Sequence, residues 1–245
     1  MVHFNSAAKT HFFDMKQKIV ALTGAGISAE SGIKTFRDSD GLWEGHDVMA
    51  VASPEGWRKN PALVLDFYNK RRQQLLTVSP NPAHEILAAL EEDYAITIIT
   101  QNVDDLHERA GSITVLHLHG QLLESRSSKN EHLIYDCRSD IKIGDFCNEN
   151  SQLRPNIVWF GEDVPAIAEA AQIVAKADIL LIIGTSLQVY PAAGLIDYAP
   201  DTTPIYYIDT NPAPIPTIQN TCTVITAKAS EGLATFKKML ETSIR

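Results

Sequence analysis

The sequence predicts an α/β fold: a Rossmann-like parallel sheet with helices on both faces, plus a small inserted module. Three observations predict it. Short apolar runs at 18–23, 95–100, 178–183 and 204–208 alternate with helical patterns, the signature of a mainly parallel sheet. Those runs show little polar alternation, as strands covered on both faces require. The turn after the first run reads Gly24-Ala25-Gly26-Ile27-Ser28-Ala29, which satisfies G-x-G-x-x-G/A between a strand and a helical start.

Taken in order, residues 18–23 form a strand that ends at Gly24, and Ser28 to Gly32 opens a helix. Residues 36–53 are rich in Gly, Asp and small polar side chains and carry no clear periodicity. The stretch 57–76 reads as one helix, with Leu63 and Phe67 at helical spacing and Pro61 near its start. Residues 82–92 repeat that pattern, placing Ile86, Leu87 and Leu90 on one face. A second strand at 95–100 leads through a polar turn to a short helix over 105–109, and 114–119 is a third strand. Residues 121–151 are polar, with little helix or strand pattern; such insertions in compact domains are functional loops or small modules. Pattern returns at 156–160. An alanine-rich helix over 166–177 precedes the most apolar strand, 178–183. A helix from Ala192, a strand at 204–208 and a C-terminal helix from Glu231 complete the chain, which holds no internal repeat.

The 245 residues suffice for one sizeable core, or a core plus a small appended module. A net charge of −9 repels a nucleic-acid backbone, and no basic stripe offsets it, so no nucleic-acid partner is expected. A cationic partner such as a lysine-rich peptide tail is compatible with that sign. No apolar run approaches the roughly 18 residues of a membrane helix, and no secretory leader is expected, since residues 1–17 lack a basic region followed by an apolar stretch. No membrane partner is expected. Three widely spaced cysteines, Cys137, Cys147 and Cys222, form no disulfide framework and fit a reducing, cytoplasmic setting.

Ligands of open parallel sheets bind outside the carboxyl ends of the strands, which directs attention to five strand ends. At the first, the glycines allow a sharp turn and close approach to a pyrophosphate. A hydride-transferring enzyme would present an acidic residue on a second strand about 20 residues on. Asp38, Asp40 and Glu44 are there, but no apolar strand presents them, which argues against a dehydrogenase. The second end, Gln101-Asn102-Val103-Asp104, suits ribose hydroxyls and a carboxamide; equally, Asn102 and Asp104 suit capping of the next helix. The third carries His119, a general base or a structural histidine. His117 alternates with it on one strand face, so spacing does not choose between them. The fourth, Gly184-Thr185-Ser186, can face a phosphate or ribose, and the fifth is Asp209-Thr210-Asn211-Pro212, which also reads as a turn.

Together these pieces resemble the sirtuin family of NAD⁺-dependent protein deacylases. The matching strings are GAGISAESGIKTFRDSDGLWE, TQNVDDLHERAGS, LHLHG, LRPNIVWFGE, GTSLQVYPAAGL and IDTNP, in order from Gly24 to about Pro212. The resemblance implies a single catalytic domain over 1–245. Its Rossmann-like core covers about 1–35, 75–120 and 156–245, with a small module from about 36–74 and 121–155. It further implies that Gly24, Ala25, Gly26, Ser28, Ala29, Phe36 and Arg37 hold NAD⁺, and that Gln101, Asn102 and Asp104 line the nicotinamide ribose and carboxamide. His119 becomes the general base, with Asn102 and Asp104 also counted as catalytic. Val158, Trp159, Phe160 and Gly161 pair with an acyl-lysine peptide by strand addition. Gly184, Thr185, Ser186, Asp209, Thr210, Asn211 and Ala229 surround the adenosine half. The implied chemistry is attack of the acyl oxygen on ribose C1′ as nicotinamide leaves, then deprotonation of a ribose hydroxyl by His119, giving free lysine and O-acyl-ADP-ribose.

The chain departs from the family pattern in two respects. The usual four zinc-binding cysteines fall here on Ser127, Asn130, Cys147 and Asn150, and one thiolate cannot make the tetrahedral site, so no zinc is expected. Lys34 stands where the family usually has proline, which implies a more mobile cofactor loop. Finally, Tyr68 and Arg71 lie i, i+3 on a predicted helix, within a charge run that also reads as an amphipathic surface. The pair resembles that of the sirtuin subgroup removing succinyl and malonyl groups, in which an arginine fork and a phenol bind the distal carboxylate. Two other functions share these motifs: ADP-ribosyl transfer to protein, and non-catalytic binding of NAD⁺ or acyl-lysine. Nothing in the sequence fixes the oligomeric state.

Overall fold

A computed structural model describes residues 16–34, 42–215 and 219–243 of the chain. Strand β1 (Lys18–Thr23) runs into two short 3-10 turns, Ala25–Ile27 and Ala29–Ser31, where the sequence predicts the opening of a helix. Gly32 ends them in the left-handed region (φ 91°). A two-stranded ribbon, β2 (Leu42–Trp43) and β3 (His46–Asp47), precedes helix α1 (Val48–Val51), capped by the Asp47 carboxylate on the N–H groups of Met49 and Ala50.

The single helix expected over 57–76 is two helices, α2 (Pro54–Lys59) and α3 (Pro61–Leu75). Asn60 separates them because it leaves helical geometry (φ −150°) and caps α3 through Leu63, with Pro61 at the first helical position. Hydrophobic spacing runs through that break, which is why periodicity alone misses it. Helix α4 (Pro82–Leu90) starts with a capping box from Asn81 and His84. After β4 (Ala95–Thr100) and the short α5 (Leu106–Arg109) comes β5 (Val115–His117), which ends two residues before His119.

Residues 121–151, expected to be irregular, contain strand structure. β6 (Gly120–Ser127) pairs antiparallel with β7 (Ile134–Asp136) and with β8 (Leu153–Ile157). Apolar residues such as Leu122, Leu123 and Ile157 are interrupted by charged and small polar ones, so no regular alternation marks the strands. Helix α6 (Ile167–Val174), β9 (Ile179–Ile183), a 3-10 segment at Ala192–Tyr198, β10 (Ile205–Asp209), β11 (Cys222–Thr226) and α7 (Ala229–Ser243) follow. Strand β11 is absent from the sequence reading because its residues are only half-buried and it lies at a sheet edge.

Six strands form one parallel sheet in the order β11-β10-β9-β1-β4-β5. In sheet terms this is the doubly wound order, with its switch point between β1 and β9. Alternate residues of β1 point to opposite layers. Ile19 and Ala21 pack with Leu87 of α4 and Leu233 and Phe236 of α7, while Val20 and Leu22 pack with Val174 of α6 and Leu195. A third cluster, built from Val51, Val64, Phe67, Tyr68, Leu122, Ile157 and Trp159, joins the first helices to the small antiparallel sheet. It stands beside the carboxyl end of the large sheet and supplies one wall of the cleft described next. Among the described residues no helix is long and apolar enough to cross a membrane.

Candidate functional site

The cleft opens at the switch point, where β1 and β9 both end in glycine turns. Gly26 donates its N–H to the carbonyl of Gly184 at 2.8 Å. A Cβ on Gly24 would lie 2.7 Å from the Gly184 carbonyl oxygen, and one on Gly26 would lie 2.6 Å from the Gly184 Cα. The sequence predicts a tight turn and close pyrophosphate approach at these glycines. The structure adds a second demand: both strand ends interlock, and neither tolerates a side chain toward the other.

Around this seam the strand ends bring polar side chains together. Asn102 is buried, and its Nδ2 donates to the Gly24 carbonyl (3.2 Å) and to Ser28 Oγ (3.1 Å). The Ser28 hydroxyl donates to Asp104 Oδ2 (2.9 Å), and Asp104 Oδ1 accepts the Leu106 N–H (3.2 Å). Asp104 therefore supports the helix start and also belongs to the hydrogen-bonded network that lines the cleft. Burial raises its pKa, against the hydrogen bonds from Ser28 and Leu106. Gln101 donates from Nε2 to Thr185 Oγ1 (3.0 Å), so the β4 and β9 ends are linked across β1.

The two histidines separate clearly. His119 Nδ1 lies 3.1 Å from the Gln101 carbonyl, so Nδ1 carries the hydrogen and Nε2 keeps its lone pair. Burial lowers its pKa, with the Gln101 carbonyl acting the other way. His119 lines the cleft; His117 does not, and both of its ring nitrogens are engaged elsewhere.

One lobe of the cleft is walled by the buried Tyr68 and Trp159 and by Arg71, with Trp43 beside them. The Arg71 guanidinium stacks on Trp43, 4.3 Å from the ring centroid, yet its Nε and Nη1 are buried without a hydrogen-bond partner. Burial lowers its pKa, opposed by Tyr68, Glu44 and Asp104. Tyr68 is fully buried and burial pushes its phenol up, despite the neighbouring Arg71. Trp159 Nε1 donates to the Tyr68 hydroxyl at 3.1 Å. The expected alternative of a surface charge run holds for Lys70, which pairs with Asp66 on the exposed face, but not for Arg71.

The cleft encloses about 340 Å³ and its lining includes Gly24, Ala25, Gly26, Ser28, Gln101, Asn102, Asp104, Gly184, Thr185, Ser186, Asp209 and Thr210, as well as 158–161. Ala29, Asn211 and Ala229 are not brought to it. Ala29 is exposed, Asn211 donates its N–H to Asp209 Oδ1, and Ala229 begins α7. Phe36 and Arg37 lie outside the described residues. Sequence reasoning gave no role to Trp43 or Glu162, which also line the cleft; their only signal was position inside the matched strings. Lys34, also on the lining, forms a 3.0 Å ion pair with Glu44.

Among the described residues no group of three or more His, Cys, Asp or Glu is placed to hold a metal ion. Where a zinc knuckle would sit, Ser127 Oγ accepts the N–H groups of Lys129 and Asn130, both at 3.2 Å, and Asn130 donates to the Glu149 carboxylate. Cys147 donates its N–H to the Ser151 carbonyl at 2.8 Å.

The model of the Sir2 family matches residues 24–191. The chain belongs to the Sir2 family. A Helicobacter pylori (strain ATCC 700392 / 26695) protein named NAD-dependent protein deacylase is 63% identical over 193 residues, which are 79% of this chain and 84% of that one. A crystal structure of a Sir2 homolog–NAD complex superposes with a TM-score of 0.82 at 36% identity, covering 99% of this chain and 96% of the other. A Sir2 bound to acetylated peptide superposes at 0.75 and 30% identity, covering 99% and 100%. The matched segment of this Sir2 chain contains the interlocked glycines, Asn102, Asp104, His119 and the Tyr68–Arg71 lobe.

Proposed function

We propose that this chain is an NAD-dependent protein-lysine deacylase, working in the cytoplasm, that removes acetyl groups and also acyl chains ending in a carboxylate, such as succinyl and malonyl. Family membership and the named relative support the deacylase reading, and the relatives solved with NAD and with acetylated peptide support its two substrates. The observation that carries the acyl preference is Arg71: a buried guanidinium with two hydrogen-bond donors unmatched, next to a phenol, in a lobe otherwise apolar. Buried donors without partners are expensive, and a ligand carboxylate would relieve that cost by accepting charge-assisted hydrogen bonds from the guanidinium.

The donor set suits NAD⁺. Amides, hydroxyls and carboxylates from five strand ends converge on one cleft at the switch point, where dinucleotides bind in this topology. Gly24, Ala25, Gly26 and Ser28 would hold the phosphates; Gln101, Asn102 and Asp104 the nicotinamide ribose and carboxamide; Thr185, Ser186, Asp209 and Thr210 the adenosine half. Bound NAD⁺ supplies a ribose carbon that takes the acyl oxygen as nicotinamide departs.

The chain's own contribution is position and proton transfer. Ser28 and Asn102 hold one another and the Gly24 carbonyl, which fixes the floor of the ribose site before ligand arrives. His119, oriented by Gln101, presents the neutral Nε2 as acceptor for a ribose-hydroxyl proton. Residues 158–161 follow β8 along the cleft rim, where an extended acyl-lysine peptide would add as a strand.

The test compares acetyl-, succinyl- and malonyl-lysine forms of one peptide with NAD⁺, by mass spectrometry and steady-state kinetics. Free lysine peptide with O-acyl-ADP-ribose is the expected product pair. Tyr68→Phe combined with Arg71→Met should depress desuccinylation by at least about 100-fold while lowering deacetylation far less. Equal losses would remove the acyl preference, and mass gain on protein in place of deacylation would replace the reaction by transfer.

A further inference from the structure

We infer that Arg154 and Glu162 are positioning residues for the acyl lobe, acting through Trp159 to aim the Tyr68 hydroxyl hydrogen at the carboxylate of the bound acyl chain. The inference rests on the acyl preference proposed above and extends it to residues that do not touch that acyl end.

The chain of contacts is continuous. The Arg154 guanidinium carbon lies 3.2 Å from the Trp159 ring centroid, flat against its face. Its Nη1 donates to Glu162 Oε1 (2.7 Å) and its Nη2 to Glu162 Oε2 (3.0 Å) and to the Ile157 carbonyl (2.8 Å). Glu162 Oε2 also accepts the backbone N–H of Trp159 at 2.9 Å. One carboxylate thus fixes the cation against the indole face and the main chain that carries the indole. Gly161, at φ 90°, bends the chain so that Glu162 returns to its own neighbour.

What this fixes is the direction of the Trp159 N–H, which points at the Tyr68 oxygen (3.1 Å). A phenol has one hydrogen to give and lone pairs to receive. Because Trp159 occupies a lone pair, the Tyr68 hydrogen is left to point elsewhere, into the lobe shared with Arg71. Arg71 and Tyr68 then present convergent donors to one anion. Without the indole N–H, the Tyr68 hydroxyl rotates freely and its hydrogen bond to a carboxylate must be ordered at each binding event. Acetyl groups offer no carboxylate, so they gain nothing from this arrangement.

The test measures KM and kcat for acetyl- and succinyl-lysine peptides at saturating NAD⁺, for wild type, Arg154→Met, Tyr68→Phe and the double variant. Arg154→Met should raise the succinyl KM about five- to ten-fold, at least three times more than it raises the acetyl KM. In the Tyr68→Phe background the same change should add nothing to the succinyl KM, because the hydroxyl it aims is gone. Arg154→Lys keeps the cation over the ring but loses the fork, and should recover part of the loss. If Arg154→Met misfolds, Trp159→Phe keeps an aromatic face while deleting the N–H together with one of the two fused rings, and the succinyl KM should rise by a similar factor beyond any rise in the acetyl KM. Equal rises in both KM values, or an undiminished effect in the Tyr68→Phe background, would overturn this inference alone. If Tyr68→Phe alone does not distinguish succinyl from acetyl, this inference fails by itself; if Tyr68→Phe combined with Arg71→Met does not either, the acyl preference fails and this inference falls with it.

Discussion

His117 Nε2 lies 2.7 Å from Glu108 Oε1, and its other ring nitrogen lies 3.1 Å from the Asn102 carbonyl. Both partners are acceptors, so both nitrogens must carry hydrogen and the ring is an imidazolium. Burial opposes that charge, but the Glu108 hydrogen bond and charge outweigh it, and the His117 pKa is raised. Burial likewise pushes Glu108 up, and His117 more than reverses this. The His117 contribution is therefore present below the ordinary histidine value and fades as pH rises through its raised folded pKa. The Glu108 contribution fades as pH falls through its depressed one. NMR titration of the imidazole should place His117 above about 6.5, and Glu108→Gln should lower that value and cost about 1 kcal/mol of stability. A midpoint below the free value would refute the imidazolium assignment.

The other histidine of the LHLHG segment should behave oppositely. His119→Ala is expected to lower turnover by about 10²–10⁴-fold with little change in NAD⁺ affinity. Its pKa is lowered by burial, so the neutral base persists below the ordinary value. The acid limb of kcat/KM should therefore bend below about pH 6.5 and be flat above it. Near wild-type turnover in the alanine variant would cancel the assignment.

Glu44 shares the field of Arg71 while pairing with Lys34. Its negative charge would compete with an acyl carboxylate at Arg71. Glu44→Gln should lower the KM for a succinyl peptide about two- to three-fold and leave acetyl KM within experimental error, most clearly at low salt. A rise in the succinyl KM would show that Glu44 helps hold the lobe in shape.

Gly184 has φ 61°, and a Cβ there would lie 2.5 Å from the Ile27 nitrogen and 2.6 Å from the Gly26 carbonyl carbon. Gly184→Ala should cost more than about 2 kcal/mol in urea unfolding and weaken NAD⁺ binding in parallel. Stability loss with unchanged affinity would disconnect the seam from the cofactor site.

Ser127 Oγ holds the N–H groups of Lys129 and Asn130, and of the four positions where a zinc site needs ligands only Cys147 is a cysteine. Purified protein should contain no stoichiometric zinc by elemental analysis, and EDTA should leave Tm unchanged, whereas Ser127→Ala should cost about 1 kcal/mol. One zinc per chain would contradict this.

Much of the sheet was legible because strands buried on both faces must be apolar throughout, as in β1, β4 and β9. The antiparallel strands β6 to β8 were not, because Ser125, Arg126 and Ser127 pair through main chain and announce no pattern. The break at Asn60 was hidden beneath an unbroken hydrophobic period. At the site, residues standing at strand ends were visible, since topology concentrates ligand groups there. His117 and His119 were not separable by spacing, because their difference lies in what each ring nitrogen meets after β5 ends. Trp43 and Glu162 went unnoticed because their roles depend on Arg71 and Arg154, which lie far from them in sequence or act through a third residue.

The contact between Gly24, Gly26 and Gly184 has a thermodynamic consequence. Each half of the sheet ends in a turn whose shape is completed only by the other half, so neither half alone offers a finished seat for a dinucleotide. Ligand binding then reports on the joined state, and NAD⁺ should protect backbone amides of β4 and β10 from hydrogen exchange together, as one cooperative unit. The co-substrate consumed at each turnover would also act, while bound, as a cross-brace between two halves of the fold.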